Sequence, residues 1–159
     1  MDIKSAVIKE ISKNMPEIIE DTSVNELFDR GYKLYEDGEP YENLIPLFKD
    51  VCNGSPKSAP AWSCLAWLYL LTDQGDLALK AAKRAVKADA TAPQARVNLV
   101  LAMLQLGEKG VREHIEVIQR INDVDEEVKQ SVVDNINDGL TRKPDWKHLK
   151  KVQQWLELS

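Results

Sequence analysis

The chain has 159 residues, 43% of them apolar and 30% charged, and carries a formal net charge of −5. That length accommodates one domain with a continuous core, and the composition is ordinary for a water-soluble helical protein. No run approaches the roughly 18 apolar residues of a membrane span, and the acidic balance argues against general nucleic-acid binding.

In chain order, Ile3, Ala6, Val7 and Ile11 recur at helical spacing over residues 2–14, and Pro16 breaks the pattern before Glu17-Ile18-Ile19. Asp2, Lys4, Lys9 and Glu10 interrupt the apolar core that a secretory signal needs. The local excess of acids over lysines disfavours a membrane-surface helix. Residues 1–22 therefore read as an amphipathic segment that caps the first pair of helices or hangs from it as an arm.

Leu27, Gly31 and Leu34, then Leu44, Phe48 and Val51 beyond Glu39-Pro40-Tyr41, mark that first pair. A second pair is sharper: Trp62, Leu65, Ala66 and Tyr69, the turn Thr72-Asp73-Gln74-Gly75, and then Ala78, Ala82 and Ala85, small residues that let two helices approach closely. Ala95, Leu99, Val100 and Met103 with Val111, Ile115 and Ile118 form a third. Val128, Val132, Ile136 and Leu140 come next at four-residue spacing after Asp125, with Gly139 read as the helix stop. Pro144 is placed to open a last helix striped by Trp146, Leu149, Val152 and Leu156, with Trp155 off the stripe. Cys52 and Cys64 lack metal-ligand spacing and lie on expected packing surfaces, so they read as free thiols in a reducing compartment.

Trp62, Leu65, Ala66 and Tyr69 follow the tetratricopeptide pattern, and sliding the chain on itself by the family's period of roughly 34 residues aligns the neighbouring pairs. Residues 24–122 thus resemble three tetratricopeptide repeats, about 24–58, 59–92 and 93–122. Arg30 stands where the family has Leu. Arg96 replaces the Trp of the third repeat, and Arg112 and Glu116 replace its small and apolar residues. The resemblance implies an all-α fold, a right-handed αα superhelix of three helical hairpins, with residues 123–159 as C-terminal capping helices.

The same resemblance places Phe28, Tyr32 and Tyr35, then Ser63, Trp67, Leu70 and Leu71, then Val97, Leu101 and Leu104 along the concave groove. Burying an apolar side chain of this kind is worth about 1.5–3 kcal/mol, and a large exposed apolar patch marks an interaction surface. A partner's amphipathic or extended segment, a second copy of the chain, or one of its own terminal helices is expected to cover it. Chaperone-binding members of the family hold a C-terminal carboxylate with a clamp of Lys, Asn, Asn, Lys and Arg. Phe28, Tyr32, Cys64, Gln94 and Asn98 occupy those places here, so tight binding of acidic chaperone tails is not expected.

Two basic clusters offer a secondary surface: Lys80, Lys83, Arg84 and Lys87 on one helix face, and Arg142, Lys143, Lys147, Lys150 and Lys151 around the last helix. With His114 and His148 as the only histidines and no phosphate loop or nucleophile motif, no set of catalytic parts is recognisable. The expectation is a non-enzymatic, cytoplasmic adaptor, scaffold or assembly factor that binds a protein or peptide in its groove, without cofactor, metal or nucleic acid. The alternative is a structural subunit or homodimer whose groove is filled by itself and whose basic convex face meets the partner.

Overall fold

The computed structural model describes residues 17–157, with side chains described from residue 23 onward. The amphipathic stretch expected over residues 2–14 lies outside the described residues. Eight helices and no strand occur among those described: α1 (Glu17–Glu36), α2 (Tyr41–Gly54), α3 (Ala59–Leu71), α4 (Gly75–Ala88), α5 (Pro93–Leu106), α6 (Val111–Val124), α7 (Glu126–Arg142) and α8 (Lys147–Trp155).

The first six form three hairpins that stack in sequence. Each pair packs internally, α2 packs on α3, α4 on α5, and α3 on α5. Local chemistry sets the boundaries. The Ser58 side chain accepts from the Ala61 N–H to cap α3, and Pro93 sits in the first turn of α5, where a missing N–H costs nothing. Helix α3 is the centre of the fold and is buried on nearly every side, as an apolar stretch running from Leu65 to Leu71 requires. Gly31 lets α1 close on α2, since a Cβ there would lie 2.5 Å from Leu47 and 3.0 Å from the Phe48 ring.

The third repeat keeps the second repeat's contacts with different residues. The Trp62 indole N–H donates to the Pro56 carbonyl at 2.9 Å, and the Arg96 Nε–H donates to the Ala90 carbonyl at 2.9 Å, each bond reaching back six residues. Arg84 covers the Trp62 ring, while His114 meets the Arg96 guanidinium at 2.8 Å. A guanidinium thus replaces an indole as the N–H donor that ties each hairpin to the loop before it.

Helices α7 and α8 do not extend the stack. Asp125 caps α7 through the Val128 N–H, and the helix then crosses the concave face: Asn135 meets Gln94 at the start of α5, and Arg142 meets Tyr35 and Tyr41 at the end of α1 and the start of α2. Helix α8 returns against α5, with Leu149 and Val152 fully buried. Gly139, read from sequence as the stop of α7, lies inside it. A Cβ there would lie 2.6 Å from Leu149 and 2.8 Å from the Trp67 ring, so this glycine admits the groove wall to the helix backbone. Pro144 falls in the turn between α7 and α8 rather than at the first position of α8.

Candidate functional site

The concave face separates into a covered part and an open part. Trp67, Leu70, Leu71, Val97 and Leu101 are buried in the one continuous core, and Leu104 is half-buried against it. Of the occupants expected to cover the stripe on α3 and α5, the chain's own C-terminal hairpin is the one that packs there, against Trp67 and along α5. Trp146 packs on Trp67 with ring centroids 5.3 Å apart, and Lys143 pairs with Asp73 in the α3–α4 turn.

Toward α1 the face stays open. Phe28 packs edge-on against Phe48 at 5.8 Å and stacks with Tyr32 at 6.5 Å, and Tyr32 continues to Tyr35 at 6.4 Å. Tyr32 is 45% exposed, while Phe28 and Tyr35 are half-buried. Between this aromatic ladder and α7 lies a cavity of about 440 Å³. Its wall brings together Tyr32, Tyr35 and Glu36 of α1, Phe48 of α2, Ser63, Cys64, Trp67 and Leu68 of α3, Gln94 and Asn98 of α5, and Asp134, Asn135, Asp138 and Arg142 of α7.

Two hydrogen-bonded chains hold this wall. In the first, the Trp67 indole N–H donates to the Tyr35 hydroxyl at 2.8 Å and that hydroxyl donates to the Asp138 carboxylate. Asp138 also accepts from Arg142 Nε at 3.0 Å. The guanidinium lies 3.6 Å over the Tyr35 ring and donates to the Tyr35 carbonyl at 2.8 Å. In the second, Asn135 donates to Gln94 at 3.0 Å, Gln94 to Asn98 at 2.8 Å, and fully buried Asn98 to the Ser63 carbonyl at 2.9 Å. Pairing of this kind offsets the cost of burying polar groups away from water.

The titrating groups reflect their burial and neighbours. Burial, then the hydrogen bond to Asp138, raises the Tyr35 pKa and keeps its hydroxyl a donor. Burial, with the negative charge of Glu36 and Asp138, raises that of Tyr32. Burial pushes the Cys64 thiol up to about 12, so it stands in the wall protonated and unreactive. For Arg142 burial acts to lower the pKa, but the hydrogen bonds to Tyr41 and Asp138 outweigh it and raise it. Among the described residues, no group of three His, Cys, Asp or Glu side chains is placed to hold a metal ion.

The basic residues divide. Lys80, Lys83, Arg84 and Lys87 are exposed on α4, with Arg84 lying 4.3 Å over the Trp62 ring. Arg142 and Lys143 leave the second cluster: one turns into the cavity wall and the other pairs with Asp73, because α7 ends on the concave face. Lys147, Lys150 and Lys151 stay exposed along a shallow depression beside Leu140. Sequence reasoning did not assign Glu36, Asp134, Asn135 or Asp138 to the site. The Asp138–Arg142 spacing of four marks a helical ion pair, but nothing local says that the pair faces inward.

No protein-family model matches the chain, and no curated protein sequence does. Solved structures do. The type III secretion translocator chaperone SycD of Yersinia enterocolitica is 18% identical over 86% of this chain and 90% of that one, with a TM-score of 0.58. The TPR domain of Arabidopsis OM64 is 14% identical over 85% and 94%, with a TM-score of 0.53. The first TPR of Spaghetti (RPAP3), solved with the HSP90 peptide SRMEEVD, is 16% identical over 84% and 93%, with a TM-score of 0.50. At such identities the likeness shows the fold, a right-handed tetratricopeptide superhelix.

Proposed function

We propose that this protein is a non-enzymatic interaction module of the adaptor or assembly-factor kind, which docks a segment of a partner protein at the open end of its concave face. The observation that carries this reading is the 440 Å³ cavity beside exposed Tyr32, which persists while α7 and α8 cover the rest of the groove. Exposed aromatic side chains next to a concave, hydrogen-bonding wall are characteristic of protein recognition sites. The RPAP3 domain of similar fold was solved with a peptide, which supports a segment as the occupant. Of the residues first assigned to the groove, Phe28, Tyr32 and Tyr35 belong to this docking site, and Trp67 supports it from beneath. Leu70, Leu71, Val97 and Leu101 are buried in the core and Leu104 is half-buried against it, so none of them serves as an exposed contact.

A second reading has its own support, since the chain fills most of its groove. It makes the exposed Lys80, Lys83 and Lys87 face of α4 the partner surface. The two readings separate by site-specific photocrosslinking in native lysate, with a benzophenone side chain at position 32 or at position 83. A discrete heterologous adduct from position 32 and none from position 83 supports concave docking. The reverse pattern transfers the function to α4, and an adduct of twice the chain's mass from either position identifies a homodimer.

A further inference from the structure

The cavity wall carries three carboxylates, Glu36, Asp134 and Asp138, against a single cation, Arg142. Arg142 is committed to Asp138 at 3.0 Å. Among the described residues no cation lies within ion-pairing distance of Glu36 or Asp134, and Asp134 accepts only an amide hydrogen bond from Gln130 at 2.9 Å. The open end is therefore negative.

The closed end shows how such a wall treats a guanidinium. The Arg142 guanidinium lies over the Tyr35 ring, 3.6 Å from its centroid, while its Nε–H reaches Asp138 at 3.0 Å. Tyr32, one helical turn away from Tyr35 on the same face, stands beside Glu36 with its ring partly exposed. These are the same two components, an aromatic face and a carboxylate, with no cation supplied by the described chain. We propose that the open end of the cavity is a socket for an arginine side chain presented by a partner protein. Arginine fits better than lysine, because a planar guanidinium stacks on a ring and donates to a carboxylate at once, whereas an ammonium is a compact, strongly hydrated charge. An acidic segment would meet Glu36 and Asp134 uncompensated, so the socket selects against such a partner. This inference rests on the reading of the cavity as a partner-docking site.

The test is a nitrogen-15 NMR titration of the full chain with blocked amino acids: acetyl-arginine methylamide, its lysine and glutamate counterparts, and neutral acetyl-glutamine methylamide. The arginine probe should shift the Trp67 indole and the Gln94 and Asn98 amide resonances saturably, more tightly than lysine and with no saturation by glutamate. Glu36→Gln and Asp134→Asn, both at exposed positions, should each weaken the arginine probe about threefold, as loss of a solvent-accessible charge contact does, with the melting temperature unchanged. Equal or stronger binding of the glutamine or glutamate probe overturns the arginine assignment while leaving the docking site in place. An arginine probe that saturates nothing, or that binds both variants as it binds the parent, overturns it as well. Failure of the docking reading is seen separately, as the absence of a crosslink from position 32.

Discussion

Replacing Gly139 with alanine adds one methyl group to α7 where that helix presses on the groove. At an unobstructed helical position the change stabilises by about 1 kcal/mol, through the higher helix propensity of alanine. Here the new Cβ would sit 2.6 Å from Leu149 Cδ2, and 2.8 and 2.9 Å from two carbons of the Trp67 ring. Leu149 can rotate its methyl away, but the Trp67 ring cannot yield cheaply. Its indole N–H is bonded to Tyr35 at 2.8 Å and its face is packed by Trp146. Overpacking against a fixed neighbour costs about 1–3 kcal/mol, and the upper half of that range applies to a clamped ring. The net effect is a loss of about 1–2 kcal/mol, or a fall of about 2–8 °C in melting temperature for a chain of this size. Thermal unfolding followed by circular dichroism, alongside tryptophan emission and proteolysis at exposed Val124 before α7, reads both the loss and its location. A melting temperature that rises, with emission and cleavage unchanged, would refute the close approach of α7 to Trp67.

Arg142→Lys keeps the charge but loses the fork that joins Asp138, Tyr41 and the Tyr35 carbonyl. It should lower stability by about 1–2 kcal/mol and shift the Trp67 indole resonance, whereas an unchanged melt would show the network to be energetically idle. The pKa of His114 is lowered by burial and then by the charge of Arg96. Below the unfolded-state value near 6.5 the unfolded chain takes up a proton that the folded chain resists, so stability should fall as pH drops through that point. The fall should shrink in His114→Gln in pH-dependent urea unfolding; an undiminished fall assigns it elsewhere. Because burial holds the Cys64 thiol at about 12, alkylation by iodoacetamide at pH 8 should be at least about a hundredfold slower than that of free cysteine, and comparable rates would place the sulfur in solvent.

The three hairpins were legible because each depends on short-range pattern. Trp62, Leu65, Ala66 and Tyr69 specify a packing stripe within two turns, and the turn from Thr72 to Gly75 closes the hairpin where the sequence placed it. The C-terminal hairpin was legible as two helices, and a terminal helix of the chain stood among the expected covers of the groove, but the pattern did not choose among them. An amphipathic stripe such as Val132, Ile136 and Leu149, Val152 states that a helix has an apolar partner without saying which surface that is. Gly139 illustrates the ambiguity: glycine after an apolar run marks a helix end, and glycine within a helix marks a close approach, and only the position of Trp67 decides between them. Arg142 was read as surface charge for the same reason, since its aromatic partner lies more than a hundred residues away.

Because α7 and α8 are covalently tied to the groove they cover, they act as an intramolecular competitor at a concentration that dilution cannot lower. If docking of the hairpin were worth about 3 kcal/mol, the covered stripe would be free in under about 1% of molecules, and a ligand needing it would bind about 160-fold more weakly than to a bare array. A partner that uses the Tyr32 end bears no such handicap. On the proposed docking reading, the tether would bias recognition toward one end of the superhelix and set the affinity that any ligand for the other end would have to reach.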